Sequence, residues 1–142
     1  MNSLVIDATS TKIFLVIINS KNIYTSTHEN SKSNFDKLTI FINDFLKNNE
    51  ISISKIDQIY VNRGPGSFAG IRNSLSIVKG IHLSKNIDYF CFSYFDFLDK
   101  KPKNIKYFLE KNIIKPPKWI DIPDLCNKYK IRKNLIKPLY VS

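Results

Sequence analysis

The sequence predicts an α/β fold of order β-β-β-α-β-α-β, followed by a short basic C-terminal extension. Three observations carry this. Three apolar, β-branched runs at the N-terminus are separated by short turn-forming stretches. Two stretches with apolar residues at helical spacing follow, each leading into a short strand-like run. Beyond residue 98 the composition turns polar and lysine-rich.

Leu4-Val5-Ile6 is the first run, closed by Asp7 and a Ser/Thr-rich turn over residues 8–11. Ile13 to Ile18 is the second, and Asn19-Ser20-Lys21-Asn22 has turn chemistry. Ile23 to Thr27 completes an antiparallel meander. Ser33 or Asn34 can then cap a helix. In that helix Phe35, Leu38, Ile42, Phe45 and Leu46 share one face, Ile40 lies nearly opposite, and Phe41 lies at the edge. The helix should end near Asn48-Asn49. Ile59-Tyr60-Val61 is a short strand running into the loop Gly64-Pro65-Gly66-Ser67-Phe68-Ala69-Gly70.

A second helix runs from that loop to about Leu83. Phe68, Ile71, Leu75 and Val78 form its core face. A different stripe, Ala69, Asn73, Ser76 and Gly80, has no long side chain and would let another backbone come close. Asp88 to Phe92 is the last strand, and Ser93 to Leu98 starts another helix. This order is the plan of the ribonuclease H-like fold. Right-handed crossovers place the parallel strands on the far side of the first strand.

The 142 residues divide into residues 1–98, which hold this lobe, and a reduced basic segment, 99–142. Within the segment, Asn104 to Ile113 reads as a short helix stopped by Pro116-Pro117, and Pro123-Asp124 opens another through Tyr129. With 43% hydrophobic residues the chain can build a core. The formal charge of +10 has two readings. It can attract nucleic acid by displacing phosphate counterions, or it can reflect a bias towards lysine, asparagine and isoleucine. Arginine, the better reader of phosphate, stands only at Arg63, Arg72 and Arg132. Cys91 and Cys126 form no close pair, which suits a reducing cytosol. The apolar runs are too short to span a membrane, so a cytoplasmic protein without a membrane partner is expected.

The informative stretch is Arg63-Gly64-Pro65-Gly66-Ser67-Phe68-Ala69-Gly70-Ile71-Arg72. It resembles the GPGSFTGLR signature of the TsaB (YeaZ) family, a relative of the actin-like ATPase superfamily, with Ala69 in place of the usual threonine. Val5-Ile6-Asp7-Ala8-Thr9 looks like the family's opening strand and turn, and Ser74 to Leu83 like its small, glycine-bearing helix. Cys91-Phe92-Ser93 resembles its strand entering a helix, and Pro138-Leu139-Tyr140-Val141 its closing segment. The resemblance covers residues 4–98 and then the last few. Two departures stand out. About forty mostly basic residues fill the place of the family's second α/β lobe. Asn34-Phe35 also stands near the place of a histidine common in relatives.

The glycine turn has two readings. Gly64 and Gly66 permit backbone angles other residues avoid, and a glycine turn at a helix start can bind phosphate. Equally, it can be a tight strand-to-helix turn packed at an interface. No Gly-Lys-Ser/Thr follows, so it is not a P-loop. By the superfamily resemblance Asp7 stands at a vestigial phosphate and metal position; an aspartate after a strand also makes a good turn. His28 and His82 lack HxxxH spacing, and His82 falls on a core-face position. The resemblance implies a non-catalytic scaffold in tRNA N6-threonylcarbamoyladenosine synthesis, with no catalytic or metal-binding residue of its own. It would pair with a TsaD-type catalytic subunit through Ala69, Asn73, Ser76, Gly80 and Ile40, and work with a TsaE-type ATPase. ATP and metal are then expected on the partner subunits, tRNA is met through the complex, and a homodimer using the same face is a second assembly. The competing readings are a reduced actin-like enzyme that binds ATP and a basic tRNA-binding adaptor.

Overall fold

Every residue of Ser3–Asp7 (β1) is buried, as befits a central strand covered on both faces. In the computed structural model, which describes all residues except Phe35, Asn112, Ile113 and Ser142, β1 pairs antiparallel with β2 (Lys12–Ile18) and parallel with β4 (Gln58–Asn62). β3 (Ile23–Glu29) pairs antiparallel with β2, and β5 (Asp88–Phe92) pairs parallel with β4. The sheet order is β3-β2-β1-β4-β5, with the parallel strands beyond β1 as the crossover rule requires. The expected positions of Phe35, Ile113 and Ser142 lie outside the described residues.

Side-chain alternation divides the core in two. Leu4, Ile6, Leu15, Ile59, Val61 and Tyr89 point to one face, where α1 (Leu38–Asn48) and α2 (Phe68–Lys85) cover them. Leu38, Ile42, Phe45 and Leu46 are buried, as their spacing predicts. Val5, Val16, Tyr60 and Phe92 point to the other face.

The basic extension covers that second face. It carries α3 (Ile105–Lys111) and α4 (Ile122–Lys128). Ile122 and Cys126 are fully buried against Val5, Val16, Tyr60 and Phe92. Trp119 packs on Phe14, ring centres 5.5 Å apart. The chain then returns along the β5 edge. Lys133 bridges antiparallel to Phe90. The Asn134 amide donates to the Tyr89 carbonyl at 2.7 Å, and its side chain accepts from the Tyr89 N–H and donates to Asp88.

Four local expectations need correction. Ser33 and Asn34 do not cap α1, which begins at Leu38 after a 3-10 turn at Lys32–Asn34. Their side chains are engaged locally instead, Asn34 donating to the Glu29 carbonyl and Ser33 pairing with Ser31. Such competition is common for short polar residues. Phe68 is 59% exposed rather than in the core. It is the first residue of α2 and lies against Tyr140, ring centres 4.8 Å apart. α2 continues to Lys85 and stops at Asn86 in the left-handed region. Ser93 to Leu98 contains only a 3-10 turn, Tyr94–Phe97, held by a Ser93–Asp96 capping box.

Candidate functional site

The carboxyl ends of β1 and β4 bring Asp7 and Asn62 side by side, because the two strands run parallel and in register. Asp7 is 4% exposed, and both its oxygens are occupied. Oδ1 accepts from the Thr9 N–H at 3.0 Å and the Thr9 hydroxyl at 2.7 Å. Oδ2 accepts from Asn62 Nδ2 at 3.1 Å and the Tyr94 hydroxyl at 3.0 Å. Burial, and then the Asp7 charge, hold the Tyr94 hydroxyl well above the usual phenol range, so it stays a donor. All four hydrogen bonds to this carboxylate are thus made within the chain. Among the described residues no group of three His, Cys, Asp or Glu could hold a metal ion. A cleft of about 330 Å³ opens beside this cluster, lined by Thr9, Asn62, Gly64, Pro65, Tyr94 and Leu109 among others.

The glycine loop wraps the same end of the sheet, and its glycines are dictated by close backbone approach. Gly64 (φ 115°) precedes a cis Pro65, and a Cβ on it would stand 2.2 Å from the Leu139 carbonyl oxygen. A Cβ on Gly66 (φ 155°) would stand 2.0 Å from the Thr9 carbonyl oxygen. At Gly70 it would stand 1.9 Å from the Ala8 carbonyl oxygen. Ser67 donates its N–H to Thr9 O at 2.8 Å, and its hydroxyl caps α2 by accepting from the Gly70 N–H at 3.1 Å. Two of the amides at the helix start are thus committed within the chain. Arg63 and the closing segment meet through Leu139 N–H and Arg63 O, 2.8 Å apart. Arg72 lies over the Phe68 ring, 5.6 Å from its centre.

The other chemistry-bearing residues are separate from this site. His28 bonds to Ser26 and stacks on Phe41. His82 pairs with the Ile87 carbonyl and sits edge-on to Tyr89. Burial pushes the Cys91 thiol up to about 11 and the Cys126 thiol up to about 12, so neither is a nucleophile near neutrality. No helix among the described residues is long and apolar enough to cross a membrane.

A family model described as "TsaD: tRNA N6-adenosine threonylcarbamoyltransferase" matches residues 20–96, more than half of the chain. Two curated relatives, both from Buchnera aphidicola, are named tRNA threonylcarbamoyladenosine biosynthesis protein TsaB. The one from subspecies Baizongia pistaciae is 35% identical over 71 residues, 44% of this chain and 32% of the relative. The one from subspecies Schizaphis graminum is 29% identical over 98 residues, 69% of this chain and 47% of the relative. The chain belongs to this family, as a TsaB/YeaZ-type member. It spans only a third to a half of the length of these relatives. The fold agrees with YeaZ from Pseudomonas aeruginosa at a TM-score of 0.61 and 18% identity, over 78% of this chain and 49% of that one. A second Pseudomonas aeruginosa structure, described as similar to peptidase YeaZ, gives 0.61 at 20% identity, over 68% of this chain and 45% of that one.

In this TsaB/YeaZ-type chain the outward stripe of α2 is partly open. Ser76 and Gly80 are exposed, and a Cβ on Gly80 would meet nothing within 4 Å. Ala69 and Asn73, nearer the loop, are half-buried. Leu83, on the same side by helical arithmetic, is 73% exposed, and Ile40 on the outer side of α1 is 55% exposed. Sequence reasoning missed Asn62, Tyr94 and Asp96. The Ser93-x-x-Asp96 spacing could have pointed to Asp96 through its capping box. Nothing local pointed to Asn62, which reaches Asp7 through the pairing of β1 with β4, or to Tyr94, which reaches it from the turn after β5.

Proposed function

We propose that the chain is a non-catalytic partner subunit in tRNA N6-threonylcarbamoyladenosine synthesis, acting in the cytoplasm. The observation that carries this reading is the occupied carboxylate of Asp7. The place where an actin-like enzyme would hold phosphate and metal is taken by Thr9, Asn62 and Tyr94. ATP and metal then belong to a TsaD-type catalytic subunit and a TsaE-type ATPase. The names of the TsaB relatives support the pathway, and the open side of α2 supports docking of a helix there. Ser76 and Gly80 give a partner backbone room to approach, Leu83 supplies exposed apolar surface on the same side of α2, and Ile40 on α1 is a further exposed apolar residue.

The test is co-expression with the TsaD-type subunit of the same organism, followed by size-exclusion chromatography. The wild-type chain co-elutes with that subunit, whereas Ser76→Arg, a change at an exposed position, elutes alone with an unchanged melting temperature. Wild-type affinity in the variant removes α2 as the docking face. ATP turnover by the pure chain would remove the non-catalytic assignment.

A further inference from the structure

The positive charge of this protein is not spread evenly. Residues 1–98 carry ten Lys and Arg against eight Asp and Glu, whereas residues 99–142 carry twelve against four. A uniform lysine bias would load both stretches alike. The excess therefore belongs to the extension, which is not a loose tail. Ile122 and Cys126 anchor it in the core, and Asn134 pins it to β5. The backbone that carries Lys130, Arg132 and Lys137 is therefore held against the lobe.

Three of them converge. Lys130, Arg132 and Lys137 line one concavity of about 230 Å³, with Ile131 and Leu135 between them. The floor is the Arg63–Asp96 pair. Asp96 is the acid of this concavity, and its oxygens are taken by Arg63 and by the Ser93 N–H. Lys133, close in sequence, is paired with Asp88 at 3.6 Å. Lys130, Arg132 and Lys137 make no ion pair among the described residues. This leaves three exposed cations around a hollow whose own acid is already paired.

We propose that this concavity binds the phosphodiester backbone of RNA. Exposed, uncompensated cations around a hollow fit consecutive phosphates, and the planar fork of Arg132 can take one phosphate through two hydrogen bonds. A flat bilayer surface would engage a concavity poorly. The choice of RNA over another polyanion rests on the tRNA pathway proposed above. The cations of the site stand on the extension, over a floor from the lobe, and the outer side of α2 is not part of it.

The experiment measures binding of the full chain to a fluorescent tRNA transcript between about 50 and 200 mM salt, where phosphate contacts dominate the salt slope. The triple variant K130E/R132E/K137E is compared with K21E/K47E/K55E, which changes the same net charge at exposed lysines of the lobe. The concavity variant weakens binding at least about tenfold at low salt and flattens the log–log salt slope by about 2 to 3, as three lost phosphate contacts require. The control keeps most of its affinity. Equal losses in the two variants would overturn the site in favour of bulk charge. Stronger capture by phosphatidylserine vesicles than by tRNA would overturn it in favour of a membrane. Should charge reversal unfold the chain, K130Q/R132Q/K137Q gives the same comparison at lower electrostatic cost. Pairing with a TsaD-type subunit is read separately by co-elution, so the two proposals fail independently.

Discussion

Arg63 and Asp96 form a two-pronged ion pair, Nη2 to Oδ1 at 2.8 Å and Nε to Oδ2 at 3.2 Å, with side chains only 10% and 20% exposed. The pair joins three segments. Arg63 donates its N–H to the Phe92 carbonyl at 2.7 Å and its Nη1 to the Lys137 carbonyl at 3.3 Å. Asp96 also accepts from the Ser93 N–H at 2.8 Å. The ends of β4 and β5 and the closing segment thus share one charged node.

Asp96→Asn should leave the Arg63 charge buried without a counterion. The expected cost is about 3–5 kcal/mol in urea unfolding, the usual range for breaking a buried pair from one side. A cost below about 1 kcal/mol would mean that solvent reaches the pair freely.

The glycines of α2 should behave in opposite ways. At Gly70 an added Cβ would stand 1.9 Å from a backbone oxygen, so Gly70→Ala should cost several kcal/mol or block folding. At Gly80 it would meet nothing, so Gly80→Ala should stabilise the isolated chain by about 0.5–1 kcal/mol through helix propensity. Thermal melts of the two variants check this. Destabilisation by Gly80→Ala would contradict the open geometry.

The extension should divide into a structural part and a solvated part. Ile122→Ala should cost about 2–4 kcal/mol, because Ile122 is fully buried against β1, β2, β4 and β5 side chains. Lys100→Glu with Lys103→Glu, both exposed, should change stability by no more than about 0.5 kcal/mol. Denaturant midpoints for the two proteins separate these expectations.

Alkali should destabilise the fold through its buried thiols. Cys126 is held up to about 12 and Cys91 up to about 11, both mainly by burial, against an ordinary value of 9.0. A group whose folded value is raised contributes stability that is complete below its unfolded value and is lost as pH rises towards the folded one. For Cys126 the window runs from about 9 to 12, at about 1.4 kcal/mol per pH unit. Cys126→Ala should flatten the fall of stability across that window. An unchanged slope would show that the thiol is not protected in the fold.

Much of the architecture was legible without coordinates. The three N-terminal runs, the two amphipathic helices and the Gly64–Gly70 loop are local patterns, set by which residues can turn and which must be buried. Leu38, Ile42, Phe45 and Leu46 lie where a helical period puts them. The misreadings were local competitions. Asn34 bonds to Glu29 instead of capping α1, and Phe68, correct in period, falls at the very start of α2, where it is exposed and meets Tyr140.

What the sequence by itself determined is the family loop, the strand order implied by right-handed crossovers, and the placing of each apolar face. What only the tertiary structure decided is who meets whom across long separations. Asp7 meets Tyr94, Arg63 meets Asp96 and Lys137, and Ile122 fills the second face of the sheet. The physical reason is range. Periodicity and turn chemistry act over a few residues, whereas satisfaction of a buried carboxylate or closure of an apolar face depends on any group the folded chain delivers, however distant along it.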